Sequence, residues 1–235
     1  MLRWTCTSLD VAERKPRVAV VPIGSLEQHG PHLPLSTDSV ITTKVAEELA
    51  RELGAFLLPC LPYSCSIEHS AFPGTVWLSP ETLASVVRDV VSSLLRQGFD
   101  VVVLVNGHGG NMVLRPVVRS LNLLSGAVRV ILVDVASIMC ELAAGDLHAG
   151  EVETSIMMHL RPELVRRVPE GLDEVPEAPR EYLDYFGFRG LCSRGVWGRP
   201  SRASSERGEK YLLAIIDRAL AHVRRVLELA GPSSQ

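Results

Sequence analysis

Asp100-Val-Val-Val-Leu-Val105 runs without interruption into Asn106-Gly-His-Gly-Gly-Asn111, and this passage from β-branched apolar residues to glycines around one histidine decides the fold class. A strand apolar on both sides belongs in the middle of a parallel sheet, where both faces are covered. Working outward, Arg17 to Pro22 has the same character, and Phe56 to Leu61 and Val128 to Val135 supply two more strands. Between them the period changes. Val40, Ile41, Val45 and Leu49 recur at helical spacing after Thr37 or Asp38, and Gly54 stops them. A second helix opens at Ser79-Pro80 and carries Leu83, Val86, Val87, Val90 and Leu94 toward Gly98. Further helices are expected over 111–124, 151–160 and 206–229. The alternation predicts an α/β protein, a three-layer α/β/α sandwich on a mainly parallel, mixed central sheet.

With 235 residues, 46% of them hydrophobic, the chain is expected to form one domain over 1–235. Pro162, Pro169, Pro176, Pro179 and Pro200 mark 162–200 as an irregular segment suited to a lid or a subunit contact. The net charge of -3, from 24 basic and 27 acidic residues, leaves no basic stripe for nucleic acid. No apolar run reaches the roughly 18 to 20 residues that cross a bilayer, and Met1 to Asp10 lacks the apolar core of a signal peptide. A cytoplasmic protein without a membrane partner is expected. The five cysteines are scattered and form no C-x-x-C pair, which argues against a disulfide framework or a thiolate zinc site.

Chemistry-bearing residues gather where the strands end, the place where open α/β sheets bind ligands. Ile23-Gly-Ser-Leu-Glu-Gln-His-Gly-Pro-His-Leu-Pro-Leu-Ser-Thr-Asp38 contributes Glu27, His29 and Asp38, and the glycine-rich loop contributes His108. A third segment, Asp146-Leu-His-Ala-Gly-Glu-Val-Glu-Thr-Ser155, contributes His148, Glu151 and Glu153. Carboxylate and imidazole without cysteine suit Zn, Mn or Fe. The set exceeds the needs of one ion; with Asp38 bridging, it would hold two, roughly 3.5 to 4 Å apart. On one helical turn His148 and Glu151 share a face and Glu153 points elsewhere, so one carboxylate is expected to serve metal and the other a different purpose. His32, behind Pro31, is expected at the surface or behind the ligands, and His159 and His222 at the surface.

Taken together the motifs resemble the creatininase (creatinine amidohydrolase) family. The resemblance rests on Gly24-Ser-Leu-Glu-Gln-His-Gly-Pro-His-Leu-Pro34 with Asp38, Glu68-His-Ser-Ala-Phe-Pro-Gly-Thr75, Asn106-Gly-His-Gly-Gly-Asn111 and His148-Ala-Gly-Glu-Val-Glu-Thr-Ser155. It extends to Gly195-Val-Trp-Gly-Arg-Pro200 and Gly208-Glu-Lys210. It implies two divalent ions per chain (Zn, Mn or Fe), with Glu27 and His108 on one, His29 on the other and Asp38 between them. Creatininase proper carries a glutamate two residues after the metal-binding histidine, where this chain has Gly110; Glu151 is the expected replacement ligand and Glu153 the alternative, otherwise placed with the catalytic group. His148 matches the catalytic histidine that shuttles a proton to the leaving nitrogen. His69 and Ser70 are expected to line the substrate pocket.

Creatininase also looks to have a tryptophan ahead of its His-Ala-Gly segment, where this chain reads Ala143-Ala-Gly-Asp146, so creatinine is not the expected substrate. The Gly-Gly form of the His108 loop is closer to the archaeal-type formamide hydrolase and mycofactocin peptidase branches. The implied activity is hydrolysis of a non-peptide amide or formamide C–N bond in a small molecule, with a formylamino-pyrimidine nucleotide as leading substrate and creatinine or a mycofactocin-type peptide as alternatives. Arg189, Arg194 and Arg199 are candidates to clamp a phosphate. A metal-binding regulatory protein without turnover is the alternative of another class. The family also implies a homo-oligomer.

Overall fold

The computed structural model describes residues 1–231. Its strands are β1 (Leu2–Arg3), β2 (Val18–Ile23), β3 (Phe56–Leu57), β4 (Val101–Asn106) and β5 (Val130–Asp134). Its helices are α1 (Ser8–Arg14), α2 (Thr37–Glu52), α3 (Pro80–Arg96), α4 (Leu114–Ser125), α5 (Val135–Cys140), α6 (Glu151–Leu160), α7 (Leu183–Leu191) and α8 (Ser205–Ala230). The sheet order is β1-β3-β2-β4-β5, and every pairing among these strands is parallel, so the expected mixed sheet is a parallel one. Parallel neighbours need crossovers, and α2, α3 and α4 lie in those connections.

The three layers follow from strand alternation. Val20, Val103, Val105, Ile131 and Val133 pack on one face with Val45 and Leu49 of α2, Ile156 of α6 and Ile215 of α8. Ala19, Val21, Ile23, Val102 and Leu104 pack on the other with Leu83, Val87 and Val91 of α3 and Leu114 of α4. The β2–β4 register ends on Ile23 opposite Asn106. The two ligand loops that follow these residues therefore start side by side.

Several boundaries moved for local reasons. The expected strand over 56–61 keeps only two residues in the sheet, since Pro59 cannot donate to a ladder. The last expected strand turns at Asp134, whose carboxylate accepts from Ser137 N (3.3 Å) and starts α5. At the N-terminus, Thr7 and Asp10 form a capping box that begins α1, which was not anticipated. The segment 162–200 is more structured than its prolines suggested, with 3-10 turns at Pro162–Leu164 and Arg180–Tyr182 followed by α7. No described helix is long and apolar enough to cross a membrane.

Candidate metal centre

Two strand ends and the loop between α5 and α6 build the site. Beyond β2, the loop carries Glu27 and His29, and Asp38 sits in the first turn of α2. Beyond β4, Asn106 braces the next loop: its Nδ2 donates to the His108 carbonyl (3.0 Å) and its Oδ1 accepts from Asn111 Nδ2 (2.9 Å). Gly107 is required there, because a Cβ would stand 1.7 Å from Thr42 Oγ1 on α2. The third segment is pinned by Asp146, whose carboxylate accepts from Glu151 N (2.8 Å) and Val152 N (2.9 Å) at the start of α6. His148 pairs through its backbone with Trp197, and Ala149 turns with a left-handed φ of 50°. That turn, strained for a residue with a Cβ, presents both His148 and Glu153 to the same space.

Asp38 stands at the middle, 2% exposed. Its Oδ1 lies 3.1 Å from His29 Nε2, while its Oδ2 accepts from Ser25 Oγ at 2.9 Å and lies 3.3 Å from His108 Nδ1. Two ligand sets share it: Glu27, Asp38 and His108 form one, and His29, Asp38 and Glu153 the other, each with donor atoms within 4.8 Å of one another. A third combination is Glu27, His29 and His148. Both oxygens of Glu27 are fully buried and receive no hydrogen bond. His108 Nδ1 (3.0 Å), His69 Nε2 (3.3 Å) and His148 Nδ1 (3.7 Å) surround that carboxylate out of good hydrogen-bond geometry. A buried carboxylate without donors is costly, and a divalent cation among these groups would satisfy it. The residues fit metal.

The histidine tautomers point the same way. His29 Nδ1 lies 3.1 Å from the Glu27 carbonyl, which can only accept, so the proton belongs on Nδ1 and Nε2 faces Asp38. His108 Nε2 lies 2.8 Å from the Cys65 carbonyl and 3.2 Å from Glu68 Oε1, leaving Nδ1 for the cluster. Such outer partners orient a ligating imidazole and raise its basicity.

Without metal the cluster holds protons instead. Burial would lower the His29 pKa, but Asp38, with help from Glu153 and Glu27, carries it up to about 10. Burial raises Glu153 to about 8 against the pull of His29. Burial would raise Asp38 as well, yet His29 and His108 hold it well below the usual carboxylate range. A group whose pKa rises on folding stabilises the fold below its unfolded value and loses that contribution as pH climbs through the folded value. The unfolded references are 6.5 for His29 and 4.5 for Glu153. The metal-free protein should therefore lose stability between neutral pH and about 10. Bound metal displaces these protons, so the loaded protein should be flatter over that range. Melting curves with and without chelator across this window check it; parallel profiles would count against the cluster as the metal site.

The structure separates the two glutamates of α6. Glu153 lies 3.8 Å from His29 Nε2, and its Oε2 accepts from Ala149 N at 2.6 Å. Glu151, the expected ligand, is not brought to the cluster: its Oε1 pairs with Arg207 and accepts from Tyr211 Oη (2.6 Å), both on α8. It serves as a tie between helices. Glu153→Gln should lower metal content, whereas Glu151→Gln should leave it intact and lower the melting temperature slightly, because exposure of Arg207 screens its pairing with Glu151. Elemental analysis and thermal melts of the two variants decide this, and the reverse pattern would restore Glu151.

His69 is buried beside Glu27, with its Nδ1 2.9 Å from Gln28 Nε2. Ser70 is exposed and lines the wider cavity rather than the metal-lined one. His32 is fully buried and its Nε2 lies 2.8 Å from Thr154 Oγ1; His159 and His222 are exposed, as expected. Three contributors were not anticipated. Gln28 contacts both His69 and His148. Glu68 occupies the room above Gly110, where a Cβ would lie 2.2 Å from its Oε1. Phe188 of α7 packs on the rings of His69 (4.6 Å) and His148 (4.7 Å). The Glu68-His69 motif offered a signal for Glu68; nothing around Phe188 did so.

Fold and cluster together define an α/β protein with a metal-capable cluster of buried carboxylates and imidazoles beyond the carboxyl ends of its parallel strands. The creatininase family pattern, described as creatinine amidohydrolase, matches residues 4–223, and the chain belongs to that family of metal-dependent amidohydrolases. It is 33% identical over 237 residues to the mycofactocin precursor peptide peptidase of Mycobacterium ulcerans, covering 94% of this chain and 90% of that protein. Over a shorter stretch of 106 residues it is 36% identical to the 2-amino-5-formylamino-6-ribosylaminopyrimidin-4(3H)-one 5'-monophosphate deformylase of Methanothermobacter thermautotrophicus, covering 43% of this chain and 44% of that one. Among solved structures, a manganese creatininase superimposes with a TM-score of 0.78 at 26% identity, over 98% of this chain and 99% of the other.

Proposed function

We propose that this chain is a two-metal amidohydrolase that opens a linear C–N bond, and the observation that carries the reading is Asp38, with one oxygen toward each of two ligand sets. Glu27 and His108 would hold one ion, His29 and Glu153 the other, and Asp38 both. When bound, two such ions supply an activated hydroxide near neutral pH and polarise the amide carbonyl. The identity of the ions is left to Zn, Mn or Fe by the oxygen and nitrogen donors.

His148 is the proton carrier. Its Nε2 lies 2.8 Å from the Gln28 main-chain carbonyl, which can only accept, and 3.1 Å from the Gln28 side-chain amide nitrogen; the shorter contact favours a proton on Nε2 donated to the carbonyl. The bare Nδ1 then faces the cluster, 3.7 Å from Glu27 Oε1. Burial, followed by the charge of His29, holds its pKa well below the ordinary histidine value, which keeps the ring neutral and ready to accept. Phe188 covers it from solvent. From this position Nδ1 can take a proton from the attacking water and return it to the departing nitrogen.

The cavity lined by Asp38, His108, His148 and Glu153 measures ≈ 60 Å³ and adjoins one of ≈ 1000 Å³, with Glu68, Gly109, Gly110, Arg180, Leu183 and Phe188 shared by both walls. That shape suits an amide carried on a larger body. A formylamino-pyrimidine nucleotide would place its formyl group in the small chamber and its ring and ribose phosphate in the large one. A peptide amide is the second reading, favoured by the peptidase relative matching 94% of the chain where the deformylase matches 43%. Creatinine would leave the wide chamber empty. Formate release from a formylamino-pyrimidine, or amine release from short peptides, by the metal-loaded protein tests these readings side by side. Inertness toward every amide would support the non-catalytic regulatory alternative.

A further inference from the structure

We propose that Arg180 forms an anion subsite at the junction of the two cavities, selecting substrates that carry a carboxylate or phosphate beside the scissile amide. The inference rests on the amidohydrolase reading for its amide but not for its anion. Arg180 lines both cavities, and among the residues lining the metal chamber it is the only lysine or arginine, facing Asp38, Glu68, Asp146 and Glu153. Metal would offset Asp38 and Glu153, Asp146 is held by backbone N–H donors and Glu68 lies 3.2 Å from His108 Nε2, so the exposed Arg180 guanidinium stands as the cation at the rim of this chamber. Its Nη2 donates to the Gly109 carbonyl at 3.4 Å, one residue from His108. Gly109 admits it: a Cβ there would stand 2.8 Å from that nitrogen.

The other arginines of the wide cavity are engaged. Arg115 pairs with Asp134 at 2.9 Å. Arg189 donates to the Ala71 carbonyl (3.1 Å) and lies over the Phe72 ring at 5.6 Å. Arg194 and Arg199, the other candidates for a phosphate clamp, donate to the carbonyls of Gly171 and Ala144 and line neither cavity. Arg180 makes no ion pair among the described residues, and its one long hydrogen bond leaves most of its five donors unused. A planar fork of this kind suits a bidentate oxyanion. Glu181 and Asp184 stand further along the same wall. Their charge disfavours an anion along that wall, while Glu68 at the junction lies 3.2 Å from His108 Nε2.

The test compares three small formamides of similar shape, 3-formamidobenzoate, 3-formamidophenyl phosphate and neutral formanilide, by calorimetric binding to metal-loaded wild type, Arg180→Gln and Arg180→Lys. In wild type at least one anionic compound should bind about tenfold or more tightly than formanilide. Arg180→Gln should erase that preference with formanilide binding and metal content unchanged, and Arg180→Lys should restore part of it. The benzoate against the phosphate identifies which oxyanion the site takes. Equal affinity or no binding for all three in wild type would overturn the subsite, and so would a preference that survives Arg180→Gln, since bound metal would then be holding the anion. Formate release from a formylamino-pyrimidine and amine release from short peptides, measured separately, test the amidohydrolase reading: anion preference with neither release would sink that reading and leave the subsite standing.

Discussion

Asp38→Ala is expected to empty the centre of both ions and to lower hydrolysis by about 10³-fold or more. The expectation follows from how the two ligand sets are built. Each contains Glu27 or Glu153, one histidine and the same aspartate. Removing Asp38 leaves two ligands per ion, fewer than the three protein ligands usual at a catalytic zinc site. The loss also leaves His29 and His108 facing Glu27 and Glu153 without the carboxylate that lies between them. Because Ser25 donates to Asp38 and to no other ligand, Ser25→Ala serves as a milder companion that loosens the bridge without deleting it. Elemental analysis of purified Asp38→Ala should find less than half an equivalent of metal per chain. One retained equivalent would mean that the two sets are not joined through this residue.

His148→Ala should behave in the opposite way, keeping its metal and losing about 10²- to 10⁴-fold in kcat. His148 reaches the cluster only at 3.7 Å from Glu27 Oε1, while its other nitrogen is committed to a backbone carbonyl. A residue so placed is suited to moving a proton rather than holding an ion. The geometry also offers the competing set Glu27, His29 and His148. If His148→Ala emptied one site, that set would be the ligand set and the proton carrier would have to be sought elsewhere. A catalytic role further predicts that KM changes less than kcat, since the ring touches the transferred proton rather than the body of the substrate.

How far the site could be read in advance depended on where each decisive contact came from. Glu27, His29 and His108 were legible because they follow apolar strands closely, and parallel strands bring their carboxyl ends together; Asp38 was legible as the acidic residue opening the helix after the first of those loops. The choice between Glu151 and Glu153 was not legible. What bears on it is Arg207 and Tyr211 on α8, 56 and 60 residues away, which occupy the Glu151 carboxylate. Spacing from His148 pointed to Glu151, but Ala149 breaks the turn with its left-handed φ, so helical geometry does not apply there.

The same reasoning explains the segment over 162–200. Its prolines announced irregularity correctly at the ends, but the aromatic stretch Tyr182-Leu-Asp-Tyr-Phe-Gly-Phe188 carries no helical period of its own, and Gly187 breaks α7 with a φ of 60°. Its conformation is set by packing against the turn at Ile67–His69, which no local pattern encodes. Layering, by contrast, was readable from alternation alone, since β2 and β4 are apolar on both faces and required helices on each. The gap at Gly110 could be noticed in the sequence, but its filling by Glu68, from a loop on the far side of α3, could not.

Crystals of the protein loaded with manganese, measured for anomalous scattering, address the shared-aspartate centre most directly. The expected map has two peaks flanking the Asp38 carboxylate, one against Glu27 and His108 and the other against His29 and Glu153, with none at Glu151. A single peak, or a second peak that does not touch Asp38, would contradict the two-metal centre.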